Sequence, residues 1–238
     1  MQLTDFRALT FDCYGTLIDW ETGIFTALQP LLTRAGSRLP RDAVLETFAQ
    51  HESRLEAANP TLRYSDLLVR LHGELAIAWQ VTPDDAENRR FGASVGDWPA
   101  FADTVASLRY LQKHYKLVIL SNVDRASFGV TNRRLWVTFD AVYTAEDIGS
   151  YKPDPRNFAY LVEHLAAMGI ERDCILHTAE SLFHDHAPAN TAGIASAWIH
   201  RRHGQPGWGA TATPPAGARY EFRFTSMAEM VKAHQQTA

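Results

Sequence analysis

The sequence predicts an α/β fold: a doubly wound, Rossmann-like parallel sheet with a helical cap subdomain inserted after its first strand. Three observations support this. Short apolar runs ending in small or polar residues recur along the chain, as buried parallel strands do: RALTFD (7–12), KLVILSN (116–122), FDAVYTAED (139–147), CILHTAE (174–180) and ASAWIH (195–200). Amphipathic stretches with helical spacing, among them Phe101–Tyr115 and Pro155–Met168, alternate with these runs. The stretch from 19 to 96 carries helical segments near Glu21–Arg34, Asp42–Ala58 and Tyr64–Trp79 and no strand pattern.

In chain order, residues 1–18 open the core, 19–96 form the cap and 97–238 complete the core. GDWPAF (96–101), punctuated by Gly and Pro, reads as the hinge back. RRHGQPGWGATATPPAGAR (201–219), rich in Gly, Pro and Thr, reads as a long loop. YEFRFTS (220–226) follows as a short edge strand, and a helix closes the chain. No internal repeat of the solenoid kind is present.

Composition narrows the classes. A chain of 238 residues that is 46% hydrophobic can bury a substantial core. With 23 basic and 27 acidic residues, a net charge of −4 and no basic stripe, nucleic acid is not an expected partner. Two cysteines, Cys13 and Cys174, indicate neither a disulfide framework nor a CxxC zinc site and fit a reducing compartment, the cytoplasm. No apolar run approaches the about 20 residues of a membrane span, and the N-terminus has no signal-peptide core, so a soluble protein is expected.

In open α/β sheets, ligands sit beyond the carboxyl ends of the strands. The residues finishing the runs are Asp12, Ser121, Asn122, Glu146, Asp147 and Glu180, so one rim should gather several polar and acidic groups. At FDCYGTL (11–17), Asp12 is followed by Gly15 and Thr16, where a tight turn can bring backbone N–H groups and a hydroxyl to an anion.

An apolar strand ending in Asp-x-x-Gly-Thr resembles the first motif of the haloacid dehalogenase superfamily. Three further motifs follow in that family's order: KLVILSN at Ser121, YKPDP at Lys152, and Glu180-Ser-Leu-Phe-His-Asp185. The resemblance covers residues 7–18 and 97–200. It implies that Asp12 attacks the substrate, that Ser121 and Asn122 hold the substrate's anionic group, and that Lys152 neutralises the nucleophile. Thr16 and Asp185 complete the implied catalytic set.

Position 14 divides the superfamily by chemistry. Its phosphatases carry a second Asp there as general acid to the leaving alkoxide; this chain has Tyr14 and so resembles the type II, or L-2-haloacid, dehalogenase branch. A halide leaves as a stable anion and needs no proton. The implied reaction is displacement of halide by Asp12 from the carbon beside a carboxylate, giving an enzyme ester that water then hydrolyses. Lys152 would keep Asp12 ionised, with Tyr14, Ser121, Asn122, Glu180 and His184 around a small anionic substrate. The branch implies no cofactor, and a homodimer is common in it.

Several positions depart from that branch. Phe158 stands where it has Tyr, Glu180 and Leu182 stand where it has Ser and Asn, and its cap arginine has no counterpart in register, leaving Arg54 and Arg63 as candidates. Trp20, Phe25 and Phe183 are candidates for an apolar pocket wall. Of His177, His184 and His186, crowded near the fourth motif, His184 is the candidate for an active-site wall or proton carrier. Glu180 and Asp185 also resemble the acidic pair with which metal-dependent members hold Mg²⁺. That alternative, a phosphatase, makes Asp12, the Tyr14 carbonyl and Asp185 ligands of a hard cation, with Glu180 direct or through water. A third reading is a catalytically silent binding member of the fold.

Overall fold

The computed structural model describes residues 1–237. β1 (Ala8–Phe11) leads into five helices, α1 (Trp20–Ala27), α2 (Gln29–Arg34), α3 (Arg41–Ala58), α4 (Tyr64–Ala78) and α5 (Asp85–Ala93). The chain continues through α6 (Thr104–Leu111), β2 (Lys116–Ser121), α7 (Arg125–Leu135), β3 (Ala141–Thr144), α8 (Ala145–Ile148) and α9 (Arg156–Ala167). It ends with β4 (Ile175–Ala179), α10 (Ala187–Thr191), β5 (Ala195–Ile199), β6 (Phe222–Phe224) and α11 (Met227–Gln235).

The strands form one parallel sheet in the order β3-β2-β1-β4-β5-β6. Side-chain alternation divides its two faces. Ala8, Val118, Leu120 and Ile175 pack with Phe158, Leu161 and Leu165 of α9 on one face. Leu9, Phe11, Leu117, Ile119 and Leu176 belong to the core of the other face, with Leu108 and Leu111 of α6 and Met227 and Met230 of α11. β1 lies between β2 and β4, where the strand order reverses, so the residue after it stands at the switch point where such sheets bind ligands.

The helices between β1 and α6 pack on one another through Phe48, Leu67, Leu68, Leu71, Leu75 and Phe91, a cluster continuous with the core of the sheet's second face. The two chain crossings into these helices are hydrogen-bonded to each other, with Asp19 N donating to Pro99 O at 2.8 Å and Phe101 N to Leu17 O at 3.1 Å. The expected helix near Glu21–Arg34 is two helices, because Pro30 in the first turn of α2 has no N–H to continue the ladder of α1.

α5 and α7, which the sequence did not predict, are mostly polar or charged; they bury Asn88, Phe91 and Gly92 in one and Phe128, Thr131 and Leu135 in the other. The run 139–147 is strand only to Thr144. Glu146 and Asp147 therefore leave the rim, Glu146 accepting from Arg125 N and Asp147 capping Thr144. The loop 201–219 is tied to the inserted helices through Arg202, which reaches Glu21 Oε2 at 2.7 Å and Asp42 Oδ1 at 3.1 Å.

Candidate active site

Asp12 follows β1, and its backbone N–H donates to Thr178 O of β4 at 3.2 Å. Lys152, in the loop before α9, is 1% exposed and uses all three N–H groups: Asp12 Oδ1 at 2.9 Å, Asp185 Oδ1 at 2.6 Å and Leu120 O at 3.0 Å. Asp12 Oδ2 accepts from Thr16 Oγ1 at 2.9 Å, and Thr16 Oγ1 in turn accepts from Glu180 N at 2.9 Å, joining the first motif to the fourth. Asn122 holds the lysine's backbone in place, accepting from Lys152 N at 2.7 Å and donating to Lys152 O at 3.0 Å.

Asp185 sits in the wide helical turn Leu182–His186, and its Oδ1 also meets His177 Nε2 at 2.9 Å. A carboxylate cannot donate, so Nε2 carries the hydrogen and Nδ1 accepts from Thr10 Oγ1 at 2.8 Å. Phe158 packs edge-on against this imidazole, with centroids 5.0 Å apart, and no hydroxyl is needed there.

The electrostatics follow from burial around one cation. Burial lowers Lys152, but Asp12 and Asp185 overcome it and push the ammonium up to about 12. Asp185 is held well below the usual carboxylate range: burial works against its ionisation, and Lys152 and His177 outweigh it. Asp12 is raised by burial, with Lys152 pulling the other way and Asp185 adding to the rise.

Asp12, Tyr14, Ser121, Asn122, Lys152, His184 and Asp185 all line one small cavity, with Thr16 behind Asp12. Its volume of about 30 Å³ suits about two water molecules. Ser121 Oγ and His184 Nε2 are buried there without a partner. Tyr14 is turned away: its hydroxyl bonds Thr131 Oγ1 at 2.9 Å and its ring meets Trp98 edge-on, with centroids 5.6 Å apart. The Glu180 side chain lines a neighbouring cavity beside Arg201 and Arg202 and bonds Thr211 at 3.5 Å. Trp20 lines the small cavity, whereas Phe25 lies under Arg41 and Phe183 lines a separate groove. Arg54 and Arg63 are exposed and pair with Glu74 and Asp66.

The cavity also holds residues that the motifs do not name: Glu52 and Glu56 of α3, Tyr64 of α4, Ser181 and Thr211. The signal for the glutamates lay in α3, whose buried stripe, Leu45, Phe48, Ala49, Glu52, Leu55 and Glu56, keeps helical spacing straight through two acids. Burial raises the Glu52 carboxyl to about 8, against a hydrogen bond from Tyr64 that lowers it. Burial, and then the neighbouring Glu52, raise Glu56 well above its ordinary value.

An acid raised in the folded state binds more protons when native, so it costs stability as pH climbs from the ordinary carboxylate range through the folded value. Glu52→Gln should therefore raise the urea midpoint more at about pH 8 than at about pH 5. Equal gains at both would show Glu52 to be ionised throughout.

Lys152, Thr16 and His177 compete with a divalent metal for this donor set. Both Asp12 oxygens and Asp185 Oδ1 are occupied by Lys152, Thr16 and His177, leaving Asp185 Oδ2 as the one unpartnered buried oxygen of the pair. Among the described residues no three His, Cys, Asp or Glu side chains are grouped to hold a metal ion.

A parallel sheet whose switch point presents a buried carboxylate–lysine–carboxylate array, beside an inserted helical layer, defines a hydrolase of the α/β type. The chain belongs to the haloacid dehalogenase-like hydrolase family, whose sequence model matches residues 6–178. It is similar to an (S)-2-haloacid dehalogenase of Pseudomonas putida, 26% identical over 214 residues that cover 85% of this chain and 88% of the relative. The fold matches that of a defluorinating L-2-haloacid dehalogenase at a TM-score of 0.79, 20% identity and coverage of 100% and 98%. It also matches a magnesium-bound HAD-hydrolase of Bacillus subtilis at 0.77, 18% identity and coverage of 98% and 99%. The fold is thus common to metal-bound members as well. No helix among the described residues is long and apolar enough to cross a membrane.

Proposed function

We propose that this hydrolase cleaves the carbon–halogen bond of small 2-haloalkanoic acids through an ester on Asp12, without a metal. The observation that carries this reading is Tyr14, whose hydroxyl is spent on Thr131 in the core, so no acid stands two residues after the carboxylate to protonate a leaving alkoxide. A halide needs none. The Pseudomonas relatives named as 2-haloacid dehalogenases support the same substrate class.

In this reading an Asp12 oxygen attacks the carbon bearing the halogen; the C–O bond forms as halide departs with the bonding pair. Water then attacks the Asp12 ester carbonyl, one of its protons passing to the leaving alkoxide and the other to solvent, so that the tetrahedral intermediate expels the 2-hydroxy acid and the carboxylate is restored. Lys152 holds Asp12 ionised, Thr16 orients it, and Asn122 and His177 keep Lys152 and Asp185 in place. Ser121 Oγ, free in the cavity, is the core's donor to the substrate carboxylate. Residues 19–96 act as the cap that closes the cavity over a small substrate, and residues 1–18 and 97–238 act as the core. The two cysteines are free, and we place the protein in the cytoplasm.

The test is a paired assay: chloride release from 2-chloropropionate and phosphate release from a small phosphoester, each with and without chelator. Chloride release that ignores the chelator is expected. Chelator-sensitive phosphate release with no chloride would replace this reading by the metal-dependent one.

A further inference from the structure

The core side of the cavity offers a substrate carboxylate two unpartnered groups, Ser121 Oγ and His184 Nε2, because the three N–H groups of Lys152 are committed. The arginines of the helical layer that sequence proposed for this task, Arg54 and Arg63, lie on the surface. What α3 presents instead is Glu52 and Glu56, one turn apart and 2% and 5% exposed. Among the described residues no arginine or lysine forms an ion pair with either. Glu52 Oε1 accepts from Tyr64 Oη at 2.5 Å, and Glu56 accepts from Asn122 Nδ2 at 3.2 and 3.4 Å. His184 Nε2, unpartnered, is 3.8 Å from Glu56 Oε2. Two buried carboxyls one turn apart, with no ion pair to a lysine or arginine, disfavour the doubly ionised state, which Lys152 only partly offsets at Glu56.

We propose that Glu52 and Glu56, in their acid form, are the cap's anion clamp, donating O–H hydrogen bonds to the substrate carboxylate opposite Ser121. The proposal rests on the reading of the substrate as a small 2-haloacid. O–H···O⁻ hydrogen bonds are charge-assisted and short, so two neutral acids can hold a carboxylate without adding a charge that the small cavity would have to desolvate. They also discriminate: a clamp of neutral donors depends on its protons, and an anion is rejected once the pair ionises.

The groups facing the pair are Tyr64 of α4, Tyr151 and Lys152 of the loop before α9, and His184, with Asp12 and Asp185 across the cavity beside Lys152. Burial and the two glutamates push both tyrosines up, burial holds His184 down to about 4, and Lys152 stands at about 12. At the alkaline end of the neutral range Glu52, raised to about 8, is the member of the pair that titrates, with Glu56 raised beside it by burial and by Glu52.

The test measures binding of propionate, a carboxylate without halogen, and of propionamide by calorimetry across the pH range. The proteins are the wild type, the double variant Glu52→Gln/Glu56→Gln and the double variant Glu52→Ala/Glu56→Ala. Propionate binding to the wild type should weaken by about tenfold per pH unit above about pH 8, and propionamide binding should not. The double Gln variant, whose amide N–H donors do not titrate, should bind propionate with a flat profile, and the double Ala variant should lose at least about tenfold at neutral pH.

A wild type that binds no propionate, or binds it independently of pH, overturns the clamp. So does a double Gln variant that binds it more than about tenfold more tightly at neutral pH, since that would mean ionised, repelling acids. Propionate binding needs no turnover, so a wild type without chloride release from 2-chloropropionate sinks the dehalogenase reading separately.

Discussion

Asp12→Asn is expected to lower chloride release from 2-chloropropionate by on the order of 10⁴-fold or more, with the fold intact. The amide is isosteric, and its carbonyl can still accept from Thr16, as Asp12 Oδ2 does at 2.9 Å. It cannot attack carbon as an anion, and its N–H₂ would face the ammonium of Lys152, which then relies on Asp185 and Leu120 O. Single-turnover hydrolysis by the wild type in heavy-oxygen water adds a second check: label should enter the Asp12 carboxylate, because water attacks the ester carbonyl and not the substrate carbon. Label found only in the 2-hydroxy acid would mean direct attack by water. Asp12 is raised by burial, with Lys152 opposing, and the reaction needs it ionised, so activity should fall on acidification at a pH above the ordinary carboxylate value. A pH profile of kcat/KM measures this.

Lys152→Met should produce the largest loss of stability, about 3–5 kcal/mol near neutral pH, because it strands two carboxylates in a buried site. In the wild type, Asp185 is depressed by Lys152 and His177 against burial; its contribution is present above the unfolded carboxylate value and is lost only as pH falls through the lower folded one. Without the ammonium both acids rise further, the native variant takes up more protons than the wild type, and it gains more stability as pH falls toward about 5. Urea midpoints of the two proteins should therefore converge on acidification. A gap that stays constant with pH would mean that Lys152 acts through packing and not through charge.

Much of this architecture was legible in the chain. The strands announced themselves because a parallel strand buried on both faces must be apolar and must turn polar where it leaves the sheet; RALTFD and KLVILSN do so, and the rim follows. FDAVYTAED shows the limit: its acids follow an apolar run as Asp12 does, yet they cap and brace a short helix away from the site. α5 and α7 were silent because charged and polar residues dominate both, so the few positions they bury make no apolar stripe to read.

The linear order of residues by itself determined the sheet, the helical insertion and the meeting of Asp12 and Ser121, since strand ends in a parallel sheet share one edge, and the order of motifs added Lys152 and Asp185 from the loops beyond that edge. Only the tertiary structure decided where side chains at that edge point, Tyr14 into the core and Glu180 toward Arg201 and Arg202, and that two glutamates of α3 share the cavity with Asp12. Periodicity states which face of an element is buried. What that face is buried against depends on contacts between residues far apart in the chain, and here those contacts set the chemistry of the cavity.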